Sequence, residues 1–121
     1  MVINIRVNAG FIPKDNWIQQ KDIGAGRIIG EMCHFIDLMQ YFTSSEPVKV
    51  YADCINSTND KISPADNIAI VIKFANGSVG NLTYLANGDK AMPKELIEVF
   101  SGTKVGIIND FRDGLIYKNG K

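Results

Sequence analysis

Charge of one sign is what this sequence lacks most plainly. Thirteen Lys and Arg balance thirteen Asp and Glu. A nucleic-acid binder carries a basic excess or a basic stripe, and neither is present. Long apolar runs are missing too: none approaches the ~20 residues that span a bilayer. Cysteine is sparse, with Cys33 and Cys54 the only two. They form no Cys-x-x-Cys pair, which leaves a zinc or thiol-redox reading without support. The start, Met1-Val2-Ile3-Asn4-Ile5-Arg6, has no cationic stretch followed by an apolar one. The expectation is therefore a cytoplasmic chain with both thiols reduced, against a disulfide between them. Without an export route, the Asn-x-Ser/Thr sequons at Asn56, Asn76 and Asn81 mark only turn-forming residues.

Length is the last shortage. At 121 residues the chain holds one domain, too little for a nucleotide-binding domain plus a substrate domain. What is there is ordinary for a soluble globular protein: 45% hydrophobic and 21% charged residues, enough to bury one core.

Residues 2–8 alternate, with Ile3, Ile5 and Val7 on one face and Asn4, Arg6 and Asn8 on the other, which predicts a half-buried strand. Residues 9–26 are broken by Gly10, Pro13, Gly24 and Gly26 and read as irregular. Residues 27–43 read as one long helix, with Ile28, Met32, Phe35, Ile36, Leu38, Met39 and Phe42 in one apolar stripe. Glu46-Pro47 ends it.

Strands follow. Val48–Asn56 is β-rich and leads into a polar loop, Ser57–Asp66. Asn67–Ala75 and Val79–Leu85 meet across Asn76-Gly77, a strong hairpin signal that predicts a type I′ turn. Glu95–Phe100, Val105–Ile108 and Leu115–Tyr117 complete about seven strands. No βαβ alternation is visible. The fold class expected is α+β: an open, mostly antiparallel mixed sheet with one long helix on one face. Such a sheet leaves its other face uncovered, and Val48–Asn56, Asn67–Ala75 and Val79–Leu85 are the strands expected to offer it to a second copy.

Gly24-Ala25-Gly26-Arg27-Ile28-Ile29-Gly30 invites a dinucleotide-binding reading. The spacing is one residue too long for the fingerprint, and no strand signal precedes Gly24. Asp53 lies too far on to be the ribose-binding acid, and no second βα unit follows. Read structurally, the glycines form a flexible entry to a helix that has no Ser, Thr, Asp or Asn cap. Its first N–H groups then need water, a neighbouring loop or a polar ligand group as partner.

Within the helix, Glu31, His34 and Asp37 are spaced i, i+3, i+6. Glu31 borders the apolar stripe, where a carboxylate needs a partner. It neighbours His34, so a carboxylate–imidazole pair for proton transfer is open to it. The alternatives are a solvent-facing histidine with no task and a metal site. The metal reading is weak, because i and i+6 diverge on a helix and no second histidine exists.

Two stretches carry a family resemblance. Val7-Asn8-Ala9-Gly10-Phe11-Ile12-Pro13-Lys14-Asp15-Asn16-Trp17 and Gly24-Ala25-Gly26-Arg27-Ile28-Ile29-Gly30-Glu31-Met32-Cys33-His34-Phe35-Ile36-Asp37-Leu38 resemble the C-terminal domain of the Gfo/Idh/MocA oxidoreductases, the relatives of glucose–fructose oxidoreductase and inositol dehydrogenase. The nearest likeness is to a branch of sugar- or polysaccharide-associated dehydrogenases. Asn109-Asp110-Phe111-Arg112, followed by Leu115-Ile116-Tyr117, resembles that branch as well.

The resemblance implies a protein in which residues 1–121 are a substrate-binding and oligomerisation domain. A Rossmann domain that binds NAD or NADP and supplies a catalytic lysine then lies outside this chain, which on its own is inactive and holds no cofactor. The histidine that moves the proton of a sugar or polyol hydroxyl matches His34. The family's aspartate four residues before that histidine falls at Gly30, so either Glu31 substitutes through a shifted geometry or the histidine is oriented otherwise. Gly24 and Gly26 match the glycine run that approaches the cofactor. Lys14, Trp17, Arg27 and Asp37 are the expected substrate contacts. A non-catalytic ligand-binding or dimerisation module with the same fold is the alternative.

Overall fold

The computed structural model describes residues 1–56, 58–60 and 63–121. Seven strands form one sheet: β1 (Val2–Asn8), β2 (Pro47–Cys54), β3 (Ile68–Phe74), β4 (Val79–Leu85), β5 (Glu95–Ser101), β6 (Lys104–Asn109) and β7 (Asp113–Tyr117). The spatial order is β2-β3-β4-β1-β5-β6-β7. Only β1 with β4 is parallel; every other neighbouring pair is antiparallel. The sheet is thus two three-stranded meanders joined by the first strand. This is the open mixed sheet with one long helix that the alternation predicted.

Alternation also places the core. Ile3, Ile5 and Val7 of β1 are buried, as are Ile70, Ile72 and Phe74 of β3, Leu82 and Tyr84 of β4 and Ile97 of β5. The helix α1 (Cys33–Thr43) lays Phe35 and Met39 on this face, with Met32 just ahead of it. Gly80 makes the close approach workable: a Cβ there would stand 2.5 Å from Met39 Sδ.

Two local expectations need correction. The helical run does not begin as a regular α-helix. Ile28–Met32 form a wide π-turn, in which the Cys33 N–H reaches back five residues to the Ile28 carbonyl. No side chain caps that start, as its sequence predicted. The hairpin at Asn76-Gly77 is present but is not type I′. That turn needs positive φ at both residues, and only Gly77 has it, at +92°. The Gly77 N–H bonds to Phe74 O and the Phe74 N–H to Ser78 O, a three-residue loop with glycine in the left-handed position. Asn76 instead spends its side chain on neighbours, accepting from Ser78 N and donating to Thr43 O.

The helix ends on Ser44, left-handed at φ +49°, ahead of Pro47. Residues 9–25 hold one short 3-10 turn, Trp17–Gln19, capped by the Asn16 side chain, and otherwise only bends and turns. The loop expected at Ser57–Asp66 lies partly outside the described residues; its described end closes in a turn at Pro64–Asp66. On the face away from α1, Val2, Tyr51, Val71, Phe100, Leu115 and Tyr117 are exposed around a polar centre where Asn81 Nδ2 donates to Asn4 Oδ1. Cys33 and Cys54 are free and exposed.

Candidate active site

The start of the helical run aims two side chains inward, Arg27 ahead of the π-turn and Glu31 within it. Arg27 is only 3% exposed. Its guanidinium donates to the carbonyls of Gly10 (2.5 Å) and Ala9 (3.1 Å), so it ties the loop after β1 to the helix start. It also lies over the Tyr84 ring, 5.2 Å from its centroid. Glu31 sits one turn further on, 3.6 Å from the Arg27 guanidinium. Its carboxylate accepts from the Tyr84 hydroxyl on one oxygen and from Lys94 Nζ, at 2.5 Å, on the other.

These contacts set protonation. Burial alone pushes the Glu31 carboxyl up, but the hydrogen bonds from Lys94 and Tyr84 and the charges of Lys94 and Arg27 outweigh it. Glu31 is held below the ordinary carboxyl range, as an ionised acceptor. Burial and the adjacent carboxylate push the Tyr84 phenol well above its usual value, so it stays a neutral donor. Burial opposes the charge on Lys94, but Glu31 and Glu95 prevail and hold its ammonium above the ordinary range.

The structure does not bring Glu31 to His34. The expected carboxylate–imidazole pair is replaced by the Tyr84–Glu31–Lys94 cluster, because donors on β4 and on the loop before β5 reach the border of the apolar stripe first. His34 is exposed and makes no hydrogen bond or ion pair among the described residues. It opens onto a shallow cavity of about 470 Å³ shared with Asp37, Leu38, Tyr41 and Phe111. His34 and Asp37 are thus brought together. Glu31 belongs to a neighbouring cavity of about 250 Å³, lined also by Trp17, Gly24, Arg27 and Gly30. Gly30 and His34 are one helical turn apart, so the two cavities succeed one another along the helix.

Of the remaining expected residues, Trp17 is 60% exposed at the smaller cavity. Lys14 is exposed and lines neither. Gly24 is a packing glycine: a Cβ there would lie 2.3 Å from the Ile18 carbonyl oxygen. Gly26, at φ +81°, has open space where a side chain would be. Gly24 lets the loop fold tightly onto Ile18, and Gly26 supplies a left-handed residue at the helix start. Among the described residues, no group of three or more His, Cys, Asp or Glu is placed to hold a metal ion.

Sequence reasoning missed Tyr84, Lys94 and Phe111. Tyr84 had a legible signal: a tyrosine in the inward register of an alternating strand has a hydroxyl that needs a buried partner. Lys94 and Phe111 reach the helix from distant loops, and no spacing rule links them to it.

The sequence matches the family model described as the GFO/IDH/MocA C-terminal domain over residues 1–104. A comparison with curated proteins returned no match. Solved structures similar to the chain include the UDP-N-acetylglucosamine 3-dehydrogenase of Acidithiobacillus ferrooxidans, at 21% identity and a TM-score of 0.72 over 99% of this chain and 36% of that one. A levoglucosan dehydrogenase complexed with NADH and levoglucosan is 21% identical, with a TM-score of 0.74 over 93% of this chain and 33% of that one. An NAD-binding oxidoreductase from Klebsiella pneumoniae is 14% identical, with a TM-score of 0.76 over 99% and 36%. The likeness to these proteins is one of fold, and the chain spans about a third of their length. On its sequence match and its fold together, the chain belongs to the Gfo/Idh/MocA oxidoreductases as their C-terminal domain.

Proposed function

We propose that this domain is the substrate-binding and oligomerisation part of an NAD(P)-dependent oxidoreductase acting on a sugar or cyclitol hydroxyl. Residues 1–121 act as one unit, joined in the working protein to a Rossmann domain. The names of the similar structures support the substrate class, since they include two sugar dehydrogenases. The observation that carries the reading is His34: the only histidine, unpartnered and facing a cavity, at the position where the family motif has its proton-transfer residue.

NAD(P), which the companion domain would hold, would supply the hydride chemistry at the substrate carbon. The protein's own share is the proton. The His34 imidazole accepts it from the substrate hydroxyl in the oxidative direction and returns it in the reductive one. Asp37, in the same cavity, is placed to accept from a neighbouring hydroxyl. Glu31 is already engaged by Tyr84 and Lys94, so its part is to fix the helix start and keep that wall ionised.

His34→Ala in the full-length protein is expected to lower kcat at least a hundredfold with unchanged thermal stability. An unchanged rate on every sugar oxidised would remove the assigned role. The domain alone is expected to show no turnover, and saturable micromolar NAD(H) binding by calorimetry would overturn that. The exposed apolar residues on the open sheet face suit a dimer, and light scattering showing a monomer at high concentration would count against it. Two exposed free thiols suit a cytoplasmic setting, and among the described residues no helix is long and apolar enough to cross a membrane. One observation favours the second reading, a non-catalytic binding module: Gly30 stands at the family's aspartate position and Glu31 does not replace it beside His34.

A further inference from the structure

The turn between β6 and β7 holds two consecutive non-glycine residues in the left-handed region: Asp110 and Phe111, each at φ +53°. L side chains avoid that conformation, and a bulky aromatic avoids it more than Asn or Asp. The strain is held from one side. The Asp110 carboxylate accepts from the backbone N–H of Lys94 (3.0 Å) and of Glu95 (3.3 Å). Its own N–H donates to the Glu95 carbonyl at 2.8 Å. Arg112 pairs with its other oxygen at 3.2 Å. Asp110 is thereby bolted to the start of β5.

Phe111, its neighbour, gains nothing comparable. It is 60% exposed, and its ring borders the cavity of His34, Asp37 and Tyr41. Stability alone would place Asn or Gly here, relieving the backbone and removing an apolar ring from water. The Arg112 N–H closes the turn on the Asn109 carbonyl at 3.0 Å, so the hairpin accounts for the positive φ; it does not account for an exposed aromatic at that position, bordering the cavity of the chain's one histidine.

We infer that Phe111 is a specificity-determining wall of the His34 cavity, receiving the C–H face of a hexopyranose or cyclitol ring. The inference rests on the function proposed above and deepens it. The cavity, about 470 Å³, is the size of one sugar ring with its first waters. Its lining is the set such a ring needs: an apolar aromatic face for the ring C–H groups, a carboxylate (Asp37) for paired hydroxyls, and an imidazole for the reacting hydroxyl. With the ring stacked on Phe111, the hydroxyl facing α1 is the one offered to His34. Phe111 thus selects which face of the sugar turns toward the helix.

The test is steady-state kinetics of the full-length protein on a panel of glucose, N-acetylglucosamine and myo-inositol, with thermal melts of each variant. Phe111→Asn is expected to leave Tm equal or raised, to raise KM for the sugar at least tenfold and to change kcat less. Phe111→Trp is expected to keep KM within threefold of the parent. If Asn lowers Tm, Phe111→Leu, which keeps apolar bulk without a ring, supplies the same comparison and is expected to show the same rise in KM. A KM for the sugar within twofold of the parent in the folded variant overturns the inference. So does a rise confined to KM for NAD(P), since the ring would then face the cofactor. His34→Ala is run beside them. If it abolishes turnover while Phe111→Asn changes nothing, only the wall is lost. If it too changes nothing, the catalytic reading itself fails.

Discussion

Two stretches of one helical run behave in opposite ways. At its start, Arg27 and Glu31 are cross-linked to Ala9, Gly10, Tyr84 and Lys94. One turn later, His34 and Asp37 face a cavity with no partner for the imidazole. The contrast separates two uses of polar groups that look alike in sequence. The first set spends its hydrogen bonds within the fold and fixes the helix to the sheet, with only Arg27 Nε left unpartnered among its buried atoms. The second leaves its side chains open to the cavity. A carboxylate three residues from a histidine is therefore no evidence of a catalytic pair when other donors can reach it.

Stability measurements can break that contrast, beginning where the effect is largest. Arg27→Met leaves the Ala9 and Gly10 carbonyls without their donor and takes a charge partner from Glu31, so urea denaturation should show a loss of about 3 kcal/mol. A loss under ~1 kcal/mol would mean that the arginine is dispensable to the fold. Glu31→Gln keeps the shape but removes the charge that Lys94 and Tyr84 address, and about 1–3 kcal/mol should be lost at neutral pH. The sign with pH follows from a folded-state value held below the ordinary 4.5. The stabilisation is present above that value and disappears as pH falls through the lower folded-state value. Wild type and variant should therefore converge in acid, and a difference that persists unchanged at the most acid pH where both still fold would contradict the ionised cluster.

Lys94→Met should have a smaller effect, about 1 kcal/mol, because its ammonium is half in water. Its contribution runs the other way with pH: it is present below the ordinary 10.5 and fades only as pH rises through the elevated folded-state value. Last comes His34→Ala, which should shift stability by no more than ~0.5 kcal/mol. A large loss there would show that the imidazole is part of the scaffold after all, and would erase the distinction between the two stretches.

Much of the fold was legible because period-2 alternation is direct. Ile3, Ile5 and Val7 or Ile70, Ile72 and Phe74 can face only one way once one face is buried. The helical stripe was equally plain in Phe35, Met39 and Phe42. The π-turn was not, since the same apolar stripe accommodates a widened first turn and no residue from 28 to 32 demands one. The hairpin at Asn76-Gly77 was found while its turn type was misjudged, because Asn76 is drawn away by the end of α1, which no local rule sees. For the site, His34, Asp37, Glu31 and Trp17 were picked out from helix position and resemblance. Their grouping was not, because it depends on Tyr84, Lys94 and Phe111, which lie 53, 63 and 77 positions from Glu31 or His34. Long-range closure of this kind leaves no periodic trace.

The place of β1 in the middle of the sheet has a kinetic consequence. Each meander, β2-β3-β4 and β5-β6-β7, is built from short-range hairpins that close quickly. The pair Val2↔Val79 and the pair Val2↔Phe100 each require most of the chain to have been gathered first. Were both meanders to close before β1 docked, β4 and β5 would present bare edges to any extended chain nearby. The central place of β1 (Val2–Asn8) thus makes it the strand whose late pairing would leave the most edge uncovered.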